Sequence, residues 1–211
     1  MKFWFRFAIY LLIALEIPLS VAGSYDDLFV AIIRDDVGSL AKLLARGVDP
    51  NSRDPSGQPA LIVAIRRESP RAFDLLLAQP TLDPDAANPA NETALMLTAI
   101  AGDADASRKL LARGAKAQRP GWSPIHYAAS GPGTDVAKLL LDSGASVDAE
   151  SPNGTTPLML AARHAPEGTV ELLLQRGADP RRRNQRGLQA IDFAEAGGRE
   201  YLVGRFQKLP R

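Results

Sequence analysis

Two columns of this chain return in phase about every thirty-three residues. With Leu158 as the ruler, the equivalent positions are Leu28, Leu61, Leu95, Ile125 and Ile191, at steps of 33, 34, 30, 33 and 33 residues. A glycine lies nineteen residues after the ruler at Gly47, Gly114, Gly144 and Gly177, and Pro80 holds that column in the second unit. A single unit of this length cannot bury its own apolar face. A fixed period with two phased columns therefore commits the chain to stacked repeats that share one core.

The unit is clearest over residues 153–179. Asn153-Gly154 is a turn signal. Thr156 suits a helix N-cap, and Pro157 suits the first helical position, where its missing N–H costs nothing. Leu158 to Ala162 is apolar, Ala165-Pro166-Glu167-Gly168 breaks the pattern, and a second apolar run ends at Gly177, a position suited to a left-handed C-cap. The unit reads helix, turn, helix, turn.

These columns resemble the ankyrin repeat. Ser123-Pro124-Ile125-His126 and Thr156-Pro157-Leu158-Met159 look like its Thr-Pro-Leu-His opening. The Ala-Ala pairs at 128–129 and 161–162, and the Gly-Ala pairs at 114–115, 144–145 and 177–178, also match. The resemblance covers about Tyr25 to Phe206. It implies an all-α solenoid of about six units, near 25–51, 55–85, 89–118, 119–149, 151–180 and 184–206, with hairpin-like fingers between them. Departures are visible: only the fourth unit has the opening His, Gln189-Ala190-Ile191-Asp192 is degenerate, and the step of 30 shortens the turn before Trp122 by three residues. The first unit, as a cap, is expected to be more polar outside than an internal unit. Tyr201, Leu202 and Phe206 are expected to close the other end.

The N-terminus carries Lys2 and Arg6, an apolar run from Phe7 to Leu15, and small residues from Ser20 to Ser24. This reads as a secretory signal over residues 1–22, cut after Ala22, ahead of a repeat domain at 23–211. The alternative is an uncleaved inner-membrane anchor, although the apolar run is shorter than the roughly 20 residues of a spanning helix. With no cysteine in the chain, export to a bacterial periplasm is the expected localisation.

Chemistry is sparse. There are two histidines, His126 and His164, no cysteine, and no phosphate-binding glycine loop or serine-nucleophile motif. The expectation is a non-enzymatic chain without cofactor or metal. Without Lys2, Arg6 and Glu16 the acidic and basic residues balance, so no global field invites nucleic acid. The aliphatic columns are assigned to the core.

Positions the stack does not need are left for binding. In the register of the resemblance, finger tips and the last turn of each first helix face a concave surface. The candidates there are Arg66, Arg67, Glu92, Arg119, Trp122, Arg163, His164, Arg182 and Arg186, with Gln58 and Thr155 in the same columns. Trp122 stands out because Trp and Arg recur as interface hot spots; the opposing reading has it folding over the shortened turn. Arg181-Arg182-Arg183 with Arg186 makes one finger basic, while Asp49, Asp54, Asp83 and Asp85 make the first fingers acidic. The expected function is a monomeric protein-binding module with a protein partner. An immunity protein neutralising a toxin and a membrane-tethered structural protein are the alternatives.

Overall fold

The structure, a computed structural model, describes residues 19–208. The charged start and apolar run of the expected signal segment lie outside the described residues. Ser20 and Ala22 of the expected cleavage motif fall within the first helix. Among the described residues, twelve helices form six pairs: α1 (Leu19–Ile33) and α2 (Val37–Ala45), α3 (Ala60–Arg66) and α4 (Pro70–Leu77), α5 (Ala94–Ala101) and α6 (Ala104–Ala112), α7 (Pro124–Ala128) and α8 (Asp135–Asp142), α9 (Pro157–His164) and α10 (Glu167–Gln175), α11 (Ala190–Ala196) and α12 (Glu200–Lys208). No strand occurs among the described residues; Arg53 and Pro59 make one isolated antiparallel bridge.

The chain divides into two compact units between Leu82 and Asp83. In the first unit, α1 packs on α3 and α2 on α4. Its core holds Leu28, Ile32, Leu40, Leu61, Ile62 and Leu76, all fully buried. In α1, Val30 and Ile33 stay exposed, so this helix is less polar than a capping unit is expected to be. In the second unit, first helices stack α5 on α7, α7 on α9 and α9 on α11, and α6 packs on α8. Its core runs through Leu95, Met96, Leu110, Ile125, Leu140 and Leu158, and ends with Leu202 and Phe206 of α12. Tyr201 is exposed instead, its hydroxyl bonded by Arg199, so it does not close the stack.

The helix ends explain the columns. Gly47, Gly114, Gly144 and Gly177 all take φ near +90°. At the last of these, Gly177 N–H donates to Leu174 O and Ala178 N–H to Leu173 O, the paired bonds of a Schellman cap. Pro80 cannot take that role, so α4 ends instead with Gln79 donating from its side chain to Leu75 O. At helix starts, Thr156 Oγ1 accepts from Met159 N–H while Met159 Sδ accepts from Thr156 N–H. Thr93 and Met96 repeat this exchange. In the degenerate sixth unit Asp192 closes the box, accepting from Gln189 N–H at 2.6 Å, so α11 forms despite its sequence. The break after α9 is shorter than the sequence suggests: Glu167 and Gly168 already belong to the first turn of α10.

Some loops lie directly against a neighbouring helix end. A Cβ on Gly197 would stand 2.5 Å from Arg163 O, and one on Gly131 would stand 2.9 Å from Ala99 O. Both contacts are with backbone, which cannot swing away. Gly197→Ala is expected to cost about 1–3 kcal/mol through overpacking, read by urea unfolding. A loss below about 0.5 kcal/mol would show that α11 can shift off α9 freely.

A candidate protein-binding face

The fingers are built on one recurring loop. In it a side-chain oxygen accepts two backbone N–H groups, those two and four residues on. Asp54 does this for Ser56 and Gln58, Asn88 for Ala90 and Glu92, and Asn184 for Arg186 and Leu188. The residue four positions on is thereby pinned just before the first helix. Glu92, Trp122 and Thr155 share that column, at steps of 30 and 33 residues. The fourth unit departs from the scheme, because Gln118 replaces the short acceptor. Its amide oxygen reaches forward to Ser146 N–H at 3.0 Å, and Ser123 Oγ accepts from Arg119 N–H at 3.4 Å. The shortened turn is thus held from the next finger, and Trp122 is not needed to cover it.

Trp122 stays 41% exposed, and Ile100 39%. Both line an open hollow of about 340 Å³, together with Glu92, Tyr127, Ser130 and Leu160. All these residues belong to three columns of the second unit: the loop end, the first helix, and that helix's last turn. Tyr127 donates its hydroxyl to Glu92 Oε1 at 3.5 Å, and Asn88 Nδ2 donates to Glu92 Oε2 at 2.8 Å. Burial, and then the Glu92 charge, raise the pKa of the Tyr127 phenol.

His126 underlies the hollow as scaffold. It is 1% exposed. Its Nδ1 accepts from Ser123 N–H at 3.1 Å, so the proton sits on Nε2, which lies 3.0 Å from Ala149 O and 3.1 Å from Thr155 O. The ring therefore ties the start of α7 to the next finger, and it sits edge-on to Trp122 with centroids 5.3 Å apart. Burial pushes its pKa below the ordinary histidine value of 6.5. The neutral ring is thus favoured in the fold, and the unfolded chain binds the proton more readily. The contribution of His126 to stability is complete above about pH 6.5 and falls as pH drops below it, with a slope that for one group stays below about 1.4 kcal/mol per pH unit. Urea titrations between pH 7.5 and 5 are expected to show this slope, and His126→Gln to remove it. An equal slope in the variant would assign the effect to other groups.

The remaining sequence candidates are distributed as follows. Arg66 ends α3 and Arg67 caps it, both exposed, in the first unit. Arg119 is half-buried beside the hollow, donating to Asn91 Oδ1 at 3.2 Å. Arg163 and His164 form the exposed last turn of α9, and Arg186 is exposed at a finger tip. Two readings change. Thr155 is 3% exposed, its N–H donating to Ser151 Oγ and its carbonyl facing the Ser151 N–H and His126 Nε2, so it presents nothing at the surface. Arg182 is exposed, but it pairs with Glu150 and, at 3.5 Å, with Asp148 of the preceding finger. The basic finger is thereby partly neutralised by its neighbour. The acidic fingers are likewise structural: Asp49, Asp54, Asp83 and Asp85 all accept backbone N–H groups at turns.

Ile100, Tyr127, Ser130 and Leu160 escape the sequence reading. Ile100 and Ser130 share a column with Arg66 and Arg163. Applying the column rule to every residue type would have found them. Among the described residues, no group of three or more His, Asp or Glu could hold a metal ion, and no helix is long and apolar enough to cross a membrane.

A family model of three-copy ankyrin repeats matches residues 28–120 and again 116–184. The chain belongs to the ankyrin repeat family. Human neurogenic locus notch homolog protein 4 is 45% identical over 92 residues, covering 42% of this chain and 5% of that protein. The mouse neurogenic locus notch homolog protein 1 is 31% identical over 166 residues, covering 71% of this chain and 7% of that protein. The chain thus spans a small fraction of these curated relatives. An ankyrin repeat domain from Acinetobacter baumannii AYE superimposes with a TM-score of 0.73 at 24% identity, over 84% of this chain and 94% of that one. A chain from the complex of a Bdellovibrio bacteriovorus predatory endopeptidase with an immunity protein gives 0.70 at 23%, over 82% and 93%. Both structures share the all-helical ankyrin fold. Ankyrin repeats are protein-interaction modules.

Proposed function

We propose that this chain is an exported, non-enzymatic binding module that holds a protein partner on the face around Trp122. The observation that carries this reading is the exposed Trp122 beside Ile100, in a fold that has other ways to secure the shortened turn. An indole left in water at a rigid position loses little conformational entropy when a partner covers it. Arg119 and Arg163 stand nearby in the columns as polar rim, with His164 next to Arg163. Arg66, Arg67 and Arg186 hold equivalent or adjacent column positions in other repeats.

The test is capture from envelope extract with the natural chain and with a Trp122→Ala, Arg163→Ala double variant. One protein retained by the natural chain and lost by the variant supports the reading. Equal retention by both moves the site away from this face. Export rests on Lys2, Arg6 and the apolar run that follows them. N-terminal sequencing of the periplasmic fraction is expected to begin at Gly23, whereas an intact Met1 in the membrane fraction favours the tethered alternative. Neutralisation of a toxin or degradative enzyme is a second reading, favoured by the shared fold with a chain of the endopeptidase–immunity complex. It predicts that the captured partner is an enzyme whose activity falls on binding.

A further inference from the structure

We infer that the uncovered face of α1 and α2 binds the same face of a second copy of this chain. The face lies wholly within the first unit, so it stands apart from the reading of Trp122. Three observations carry it.

The first is exposure. Asp27, Val30, Ala31 and Arg34 follow one another at i, i+3, i+4 and i+7, a single stripe along α1 and the residue after it. The same spacing recurs on α2 over 39–46, and both stripes line an open hollow of about 340 Å³. The Asp27 column is buried in the other five repeats, at Ala60, Ala94, Pro124, Pro157 and Ala190. In the first repeat Asp27 is exposed and Val30 is 44% exposed. A surface that the repeats ordinarily cover thus faces water here, with an aliphatic side chain in its middle.

The second is charge. A three-residue turn joins α1 to α2, so Arg34 and Asp36 stand at the turn end of the hollow, and Asp27 and Arg46 at the other. Each end carries one acid and one base. Asp27, Arg34 and Arg46 have no side-chain partner among the described residues. Asp36 is held in position by the Ser39 N–H at 3.1 Å and the Ser39 hydroxyl at 2.6 Å. A twofold contact needs a face that matches itself, and this arrangement of charges does.

The third is the position of Lys42, midway along the α2 stripe. Two twofold axes fit such a face. An axis across the helices sets α2 on its own copy and brings Lys42 near the partner's Lys42, where like charges repel. An axis along the hollow sets α1 antiparallel on the partner's α2, the favourable sense for the helix dipoles. Asp27 then meets the partner's Arg46, Arg34 meets the partner's Asp36, and the stem of the partner's Lys42 covers Val30. Symmetry makes every contact twice. Two helices this short bury less than the roughly 1,200 Å² of a stable interface, so the association is weak.

The test is sedimentation equilibrium of the natural chain, of Asp27→Arg, of Arg46→Asp and of the two combined, with melting to confirm that each is folded. The natural chain is expected to dimerise with a Kd of about 10–100 µM, so that the monomer expected from the sequence is the dilute form. Each single reversal sets like charges together twice and is expected to weaken the dimer about tenfold or more. The double reversal restores opposite charges and is expected to return to within about threefold of the natural chain. Raising NaCl from about 20 to about 500 mM is expected to weaken the natural dimer about tenfold.

A natural chain that stays monomeric up to about 500 µM overturns the inference. So does association that the single reversals leave unchanged, or that salt does not weaken, since the contact would then lie on apolar surface elsewhere. A double variant as weak as the single ones overturns the seating of α1 on the partner's α2, and the inference with it. None of these outcomes bears on partner capture by the Trp122 face, which Trp122→Ala tests by itself.

Discussion

His126→Ala is expected to lower the stability of the fold by about 3–5 kcal/mol at neutral pH. The imidazole satisfies the Ser123 N–H on one side and the Ala149 and Thr155 carbonyls on the other, at a position sealed from water. Truncation leaves the Ser123 N–H and the Ala149 carbonyl without a partner, at about 1–3 kcal/mol each when fully unmet, leaves the Thr155 carbonyl with the Ser151 N–H alone, and opens a cavity the size of the ring. Water entering that cavity would recover part of the loss, which sets the expectation below the full sum. For a domain of this size the melting temperature should fall roughly 10 °C. The measurement is urea unfolding of the natural chain, His126→Ala and His126→Gln. Gln is expected to recover part of the loss, since its amide can still donate where Nε2 does. A loss under about 1 kcal/mol would mean that the finger and α7 hold their register without the ring.

The second large effect concerns binding. Trp122→Ala is expected to weaken the partner complex by about thirtyfold or more, the lower bound of hot-spot behaviour. The fold should barely notice, since much of the indole already faces water and its main aromatic contact is the edge of His126. The two variants are therefore complementary: His126→Ala removes the support and Trp122→Ala removes the anchor. Calorimetric titration against the captured partner, alongside melting of each variant, separates the roles. A Trp122→Ala variant that binds normally would assign the exposed indole no part in recognition. One that melts as low as His126→Ala would assign it a structural part instead.

How far the sequence reveals this molecule depends on how local the deciding contact is. Thr156, Pro157 and Gly177 act on their own helix ends, so their roles could be read directly, and each does in the structure what its residue type suggests. The degenerate opening of the sixth unit looked unfavourable only by resemblance. Physically Asp192 offers the same acceptor at the same place as the histidine. Longer-range contacts were not legible. Arg182 reads as a free basic residue until the fold brings Asp148 and Glu150 beside it. Asp85 reads as surface charge until Lys116 N–H is found on its carboxylate. The hollow is half legible: Glu92 and Trp122 stand out by their polarity and size. Ile100, Tyr127 and Leu160 do not stand out, because apolar residues at helical spacing read as core whether or not a neighbour covers them. A column on the exposed side stays exposed whatever residue occupies it.

The finger-to-finger bonds have one further consequence. Asp85 binds the backbone of Lys116, Gln118 that of Ser146, and Asp148 that of Asp179. In each case one repeat grips the next by a main-chain N–H, a group that every residue but proline supplies. The grip is blind to the side chain above it. Such a joint lets the outward residues of a finger be rewritten one repeat at a time while the spacing of the fingers is kept, so a new partner can be learned without the scaffold being relearned.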